Sequence, residues 1–135
     1  MTDYVLVDSK IILSMLAREF DFYRDNHSEK RRIQNTIYIL NSAGFKTGHG
    51  FSWGFQHVFS QDLVHDSNEV FSNPQEYEKT KEFSFDNKTK YKLSEIKELF
   101  LNPVKNQKQL ELLTFSHYIF NNYYRQNSRL FYQFK

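Results

Sequence analysis

The chain contains no cysteine among its 135 residues. Disulfide bonds, thiolate zinc sites and a cysteine nucleophile are therefore excluded. Small secreted domains are commonly stabilised by disulfides, so the absence of cysteine favours a reducing compartment. We expect a cytoplasmic protein.

A signal sequence and long apolar runs are also missing. The opening MTDYVLVDSK does not place a basic region before an apolar one, as a secretory signal does. No apolar run approaches the roughly 20 residues that a membrane-spanning helix needs. We expect no membrane association.

Glycine and proline are scarce, with four and two residues. The sequence has no Gly-x-Ser-x-Gly turn for a serine nucleophile and no phosphate-binding loop, because GFKTGHG lacks the Lys-Ser/Thr placement at a helix start. No HExxH or paired-carboxylate motif occurs either. The sequence therefore predicts a non-enzymatic protein without a cofactor or a bound metal.

Histidine is the one residue type that still suggests site chemistry. His49, His57 and His65 are spaced by eight residues, and no HExxH, HxH or paired-carboxylate motif accompanies them. We interpret them as ordinary surface or capping histidines, with a metal-assisted hydrolase as a distant alternative. His117 lies on an apolar stripe of a predicted helix, so it is expected to be buried and hydrogen-bonded to backbone or a hydroxyl. A pH-sensitive or catalytic role is its alternative.

Aromatic residues are plentiful, with 14 Phe, 9 Tyr and one Trp. Each buried ring removes roughly 150–250 Å² from water, so the chain can build a core although only 39% of its residues are hydrophobic. We expect residues 1–135 to form a single domain. A domain of this size cannot bury every ring, so some must be exposed.

Hydrophobic periodicity predicts two early helices. The first begins at Asp8 or Ser9 and has an apolar face at Ile12, Met15, Leu16 and Phe20. The second follows Ser28, with Ile33, Ile37 and Leu40 on its apolar face and Arg31, Arg32, Gln34 and Asn35 largely elsewhere. Gly44 is placed to end it in a left-handed conformation.

The middle and end of the chain give further elements. Phe51, Trp53 and Phe55 alternate as in an extended segment, and Ser60 can cap a helix that has Asp62 in its first turn. Alternation around Asp86-Asn87 predicts a hairpin over 82–93, and Ser94 is expected to cap a short helix that ends before Pro103. The predicted fold is mainly α, a compact single-domain bundle of about five helices with a small β-hairpin. Its last long helix, 106–124, carries an apolar stripe of Leu110, Leu113, His117 and Phe120.

Three stretches resemble a known family. The helix RRIQNTIYILNSAGF is similar to an early helix of YwgA-like proteins, near the SocA-like (Panacea-type) antitoxin and adaptor domains. LELLTFSHYIF resembles the late helix of that family. The central match is an aromatic–x–Trp segment followed by a turn, a serine, an acidic residue and a leucine, formed here by Phe51, Trp53, Phe55, Phe59, Ser60, Asp62 and Leu63.

The resemblance implies a helical domain that binds another protein and has no catalytic centre, with the rings of 51–63 mainly filling the core. One feature departs from the family, because His57-Val58 stands where the family has Gly-Pro. Gly-Pro makes a rigid turn that His-Val cannot copy through the same backbone preferences. Any family role of that turn is therefore not expected here.

Protein binding is the leading functional prediction. It would suit an antitoxin or adaptor, or an inhibitor of a bacterial defence system such as an anti-CRISPR protein from a phage or mobile element. The partner would be a toxin, a protease complex or a defence effector, and a homo-oligomer is an open alternative. Tyr, Phe, Trp and Arg dominate interface hot spots, and this chain is rich in the first two. The predicted contact residues are Tyr23, Arg24, His57, Phe59, Gln61, Tyr124, Arg125, Arg129, Phe131 and Tyr132.

Nucleic-acid binding is the alternative function. Residues 104–135 carry five basic groups against one acidic group, and the tail interleaves aromatic and basic side chains. Rings can stack on bases while the cations follow phosphates. The residues predicted for this role are Lys30, Arg31, Arg32, Arg125, Arg129 and Lys135.

Overall fold

The computed structural model describes residues 9–23, 27–54 and 57–124. Their helices are α1 (Ser9–Phe20), α2 (His27–Ser42), α3 (Gln61–Ser72), α4 (Pro74–Lys79), α5 (Asn87–Ile96) and α6 (Gln107–Ile119). Two short strands, β1 (Ser52–Gly54) and β2 (His57–Phe59), form an antiparallel hairpin. The predicted fold class, mainly helical with about five longer helices and a two-stranded hairpin, is confirmed. Phe55 lies outside the described residues.

Helix α1 begins at Ser9 as predicted, but its buried face is rotated by about one residue. Leu13, Leu16 and Ala17 are buried, whereas the predicted Ile12 and Met15 are only half-buried. Both sets satisfy a 3.6-residue period, so local sequence does not distinguish them. Packing of α1 against α3 decides which face is buried.

Helix α2 is the central element of the fold. All residues from 33 to 40 are buried, with Ile33, Ile37 and Leu40 in one hydrophobic cluster and Tyr38 and Ile39 in another. A helix that has packed neighbours on several sides must also bury polar positions. The expectation that Gln34 and Asn35 lie outside the core is therefore wrong.

Each of these buried amides has a partner across the fold. Gln34 donates from Nε2 to the carbonyl of Ser60 (3.1 Å) and accepts the Ser60 backbone N–H at Oε1 (2.8 Å). The Thr114 hydroxyl donates to Oδ1 of Asn35 (2.8 Å). These bonds connect α2 to the start of α3 and to α6, so burial of polar groups here specifies packing.

The predicted end of α2 is confirmed. Gly44 has φ of 101°, in the left-handed region. The Phe45 N–H donates to the carbonyl of Leu40, and the Gly44 N–H donates to that of Asn41. This pair of bonds is a Schellman motif, which uses a residue such as glycine at positive φ.

The hairpin connects the loop after α2 to the start of α3. Ser52 pairs with Phe59, Trp53 with Val58 and Gly54 with His57. Ser60 then caps α3, because its side chain accepts the Leu63 N–H (3.2 Å). The predicted extended segment at Trp53 and the predicted cap at Ser60 are confirmed.

The predicted hairpin over 82–93 is wrong. Asp86 has an extended backbone and accepts the Thr89 N–H at its carboxylate (2.7 Å), so it caps α5 instead of opening a turn. Ser94 lies inside α5 and caps no helix. The chain continues as a π-helical segment, Lys97–Leu101, and the helix ends before Pro103 as predicted.

Helix α6 packs on α2 and β2. It is capped by Asn106, whose side chain accepts the Gln109 N–H (2.9 Å), and it continues as a π-helical segment, Phe120–Tyr124. Leu110 is buried as predicted, but Phe120 at the end of the predicted stripe is 58% exposed.

None of the helices in the described part of the chain has both the length and the apolar character that crossing a bilayer requires.

Candidate functional site

A cleft of about 300 Å³ opens between α2, β2 and α3. Its apolar lining comes from Ile33, Phe59, Val64 and Phe71, which lie on all three elements. The remaining lining residues are polar or basic, namely His27, Lys30, Arg31, Gln34, His57, Ser67 and Asn68. Hereafter this feature is called the basic cleft.

The charges at the basic cleft are mostly of one sign. Arg31 pairs through Nη2 with Oε1 of Glu111 on α6 (2.8 Å), and Glu111 is not among the lining residues. Burial lowers the pKa of His57 below its ordinary value, and the nearby Arg31 and His27 lower this pKa further, against an opposing effect of Glu111. His57 is therefore mainly neutral at pH 7, and the charge at the cleft depends on pH.

A second exposed feature is the side of α6 that faces away from α2. Leu112 (57% exposed), Phe115 (44%) and Ile119 (43%) follow one another at spacings of three and four residues. They form one stripe, which we call the outer face of α6. The Trp53 ring packs against Phe115 with centroids 5.2 Å apart and so extends this stripe onto the hairpin.

The outer face of α6 is flanked by basic residues at the N-terminal end of the helix. Lys108 is one turn before Leu112, and Lys105 precedes the helix; both are exposed. Neither lysine makes an ion pair with another described residue. The outer face is therefore apolar along its length and basic at one end.

A chain of hydrogen bonds, buried at His49 and Thr47, joins α1, α3 and the loop after α2. Oδ2 of Asp66 accepts from the Ser9 hydroxyl (2.6 Å) and bonds to Nε2 of His49 (2.7 Å). The other ring nitrogen of His49, Nδ1, bonds to the Thr47 hydroxyl (2.7 Å), which also accepts from Asn41 (2.8 Å). Because a carboxylate only accepts, Nε2 of His49 carries a proton in this arrangement.

The order carboxylate–imidazole–hydroxyl, formed here by Asp66, His49 and Thr47, is the one that activates a hydroxyl nucleophile in many enzymes. The Thr47 hydroxyl, however, is enclosed by the protein. Thr47 is 1% exposed, and His49 and Asp66 are buried. A nucleophile must reach its substrate, so the geometry supports a structural role for this chain of bonds. The expectation that His49 is a surface or capping histidine is wrong.

His117 has the hydroxyl partner that was predicted. The Tyr38 hydroxyl and Nδ1 of His117 are 2.8 Å apart, and the two rings meet edge to face. Burial raises the pKa of Tyr38, which keeps this hydroxyl protonated. His117 itself is half-buried, less than predicted.

The structure brings together four residues that were predicted for two different roles. His57 and Phe59 were predicted for partner binding, Lys30 and Arg31 for nucleic-acid binding, and all four line the basic cleft. Lys30, on the first turn of α2, makes no ion pair with another described residue.

The other predicted residues lie elsewhere. Tyr23 and Gln61 are exposed but do not line the basic cleft. The Arg32 guanidinium bonds to Glu29 and to the carbonyls of Phe20 and Asp21, so it neutralises the end of α1. The remaining predicted positions, or their side chains, lie outside the described structure: Arg24, Tyr124, Arg125, Arg129, Phe131, Tyr132 and Lys135.

A larger cavity of about 700 Å³ between α1 and α3 has balanced charges. Its lining includes Lys10, His65 and Glu69, and Glu69 pairs with Lys10 (2.6 Å) and with His65 (3.1 Å).

Among the described residues, no group of three or more His, Cys, Asp or Glu side chains is arranged to hold a metal ion.

Sequence reasoning missed the buried chain and the outer face of α6. Phe45, Thr47 and His49 are buried while Lys46, Gly48 and Gly50 are exposed, but the letters FKTGHG contain one apolar residue and show no hydrophobic alternation that would identify His49 as buried. For α6, Leu112, Phe115 and Ile119 repeat as regularly as the buried stripe. A helix that is apolar on both sides indicates a second packing partner.

Comparison with protein-family models, with curated proteins and with solved structures finds no significant match for this chain.

Proposed function

We propose that this protein is a non-enzymatic protein-interaction module of the cytoplasm that neutralises or redirects another protein. The observation that carries the proposal is the outer face of α6, where three large apolar side chains are each more than two-fifths exposed. Contiguous apolar patches on soluble domains mark sites of association. The resemblance to antitoxin and adaptor domains supports the same class of function.

The pattern of the outer face indicates how the partner binds. Leu112, Phe115 and Ile119 have the i, i+3, i+7 spacing with which amphipathic helices anchor in an apolar groove. Lys105 and Lys108 at one end favour carboxylates on that rim of the groove. The proposed partner is therefore a protein with an apolar groove whose rim is acidic near the start of α6.

A second copy of this chain fits the face less well. In an antiparallel pairing of two α6 helices centred on Phe115, Lys108 would meet Asn122 of the other copy, which offers no carboxylate. Glu111, the acidic residue of α6, already pairs with Arg31. Charge complementarity thus favours a different protein.

The test compares variants of the face in an affinity capture from bacterial lysate treated with nuclease. Leu112→Gln combined with Ile119→Gln removes two anchors and keeps good helix formers. Each buried anchor contributes roughly 1.5–3 kcal/mol, so the affinity for the partner should fall by about 100-fold or more. Tyr91→Gln on α5, where the side chain is 73% exposed, is the matched control and should retain the partner.

The same capture distinguishes the alternatives. Retention of the partner should persist in high salt, because apolar burial is not screened. Companions that disappear with nuclease would contradict the proposal and favour nucleic-acid binding, which weakens steeply with salt. A wild-type dimer that dissociates in the double variant, seen by sedimentation, would instead assign the outer face to a second copy.

A further inference from the structure

The basic cleft combines positive charge with an apolar interior. None of the described residues that line it is acidic, and three of them, His27, Lys30 and Arg31, come from the first turns of α2. His57 adds a titratable group from β2. An anion in this cleft would meet cations on one side and no carboxylate among the lining residues.

The size of the basic cleft limits what fits there. A cavity of about 150 Å³ lined by apolar side chains holds benzene. The volume of about 300 Å³ therefore matches a body of about two fused rings. Phe59, Phe71, Val64 and Ile33 supply the apolar contacts for such a body.

Arg31 brings to the lining of the cleft a guanidinium that its hydrogen bonds do not fully satisfy. Its Nη2 is bonded to Glu111, but its Nε is buried and has no hydrogen-bond partner among the described residues. A buried N–H without an acceptor is costly, and such groups in folded proteins call for an explanation. Guanidinium groups bind carboxylate and phosphate oxygens in a planar geometry.

The geometry points to a binding site for a small organic anion, a carboxylate or phosphate carried on a bicyclic-sized apolar body, in the basic cleft between α2, β2 and α3. The apolar body packs on Phe59 and Phe71, while the anionic group faces Arg31 and Lys30. This site uses none of the residues of the outer face of α6 and does not rest on the proposed protein partner.

The groups around His57 make anion binding dependent on pH. His57 faces His27 and Arg31 from α2 and Glu111 from α6. Its pKa is lowered in the free protein, and a bound anion raises that pKa again. Binding of an anion should therefore be coupled to proton uptake and become tighter as pH falls below the ordinary histidine value of 6.5.

The experiment titrates the full chain with four probes that share one ring system: 2-naphthoate, 2-naphthyl phosphate, neutral 2-naphthamide and 2-naphthylmethylammonium. Binding is followed by ¹H–¹⁵N correlation spectra and calorimetry. At least one of the two anions should bind, with shifts at the start of α2, in β2 and in α3. The amide should bind about tenfold more weakly, and the cation should not bind.

Variants then assign the contacts. Arg31→Gln should weaken binding of the anion by about tenfold, and Lys30→Gln by about threefold, because Lys30 is more exposed. Lys90→Gln on α5 removes an equal charge far along the chain and should leave binding unchanged. Since Arg31 also pairs with Glu111, Ser67→Leu is a second variant that fills the cleft without altering its charges, and it should abolish binding.

The proposal is overturned if neither anion binds at millimolar concentrations, or if naphthamide binds as tightly as the anions. Shifts confined to α6 would overturn it as well, because the ring system would then be on the outer face. A tighter complex with the phosphate than with the carboxylate, or the reverse, identifies the anionic group.

Discussion

At the scale of single residues, Asp66 links α3 to two other parts of the fold. It binds Ser9 of α1 and His49 of the loop after α2 through one oxygen. Asp66→Ala leaves two donors without an acceptor, and the free energy of unfolding should fall by about 3 kcal/mol. Urea denaturation at pH 7 measures this change.

Asn68→Ala is the matched control for that prediction. Asn68 lies on the same helix and is exposed, so its loss should change the free energy of unfolding by less than about 0.5 kcal/mol. A loss below about 1 kcal/mol in Asp66→Ala would show that Ser9 and His49 find other partners.

His57 is a second residue whose environment has a measurable consequence. Burial, Arg31 and His27 lower its pKa below the ordinary value of 6.5, and Glu111 raises it. We expect Arg31→Gln to raise the pKa of His57 and Glu111→Gln to lower it. An NMR titration of the imidazole proton shifts measures both, and shifts in the same direction would contradict this assignment of causes.

The sign of the effect on stability follows from the lowered pKa. The folded protein resists protonation of His57 more than the unfolded chain does, so the unfolded chain takes up the proton first as pH falls. This contribution to stability is complete above pH 6.5 and is lost as pH falls from 6.5 through the lowered pKa.

At the scale of elements, the end of α2 depends on one glycine. Gly44→Ala places a Cβ at a φ of 101° and 3.2 Å from Nζ of Lys92. The lysine end is flexible and can move, so the backbone strain dominates, and stability should fall by about 1–2 kcal/mol. Thermal unfolding measures the loss.

Gly50→Ala is the comparison for Gly44→Ala. Its Cβ would meet no atom within 4 Å, and its φ is not in the left-handed region. We expect this variant to be as stable as the wild type or slightly more stable, since alanine restricts the unfolded chain. Equal effects at the two glycines would contradict the role given to Gly44.

The start or end of a helix was predicted correctly where the capping residue and its hydrogen-bond partner lie close together in the chain. The caps at Ser60 and Gly44 involve partners within a single turn or two, and both were predicted from local sequence. The segment 82–93 offered two local solutions, because Asp86 suits both a hairpin turn and a helix N-cap. The alternation of apolar and polar residues favoured the hairpin, whereas in the structure Asp86 is the N-cap of α5.

At the scale of the whole molecule, α2 lies in the centre and the two candidate sites are on different sides of it. The basic cleft is formed by α2, β2 and α3, while the outer face of α6 points away from α2. The Arg31–Glu111 ion pair links the rim of the cleft to α6. The proposed anion site and the proposed protein-binding face are therefore separate surfaces of the described structure.

By itself the sequence determined the exclusion of cysteine chemistry, the helical class, the cap at Ser60 and the end of α2, because each depends on composition or on residues within a turn or two. Only the tertiary structure decided which face of α1 is buried, that His49 is enclosed, and that Lys30, Arg31, His57 and Phe59 line one cleft. Ser9 and Asp66 are 57 residues apart in the chain, and Gln34 and Ser60 are 26 apart. Such contacts form when several elements pack at once, so no local pattern encodes them.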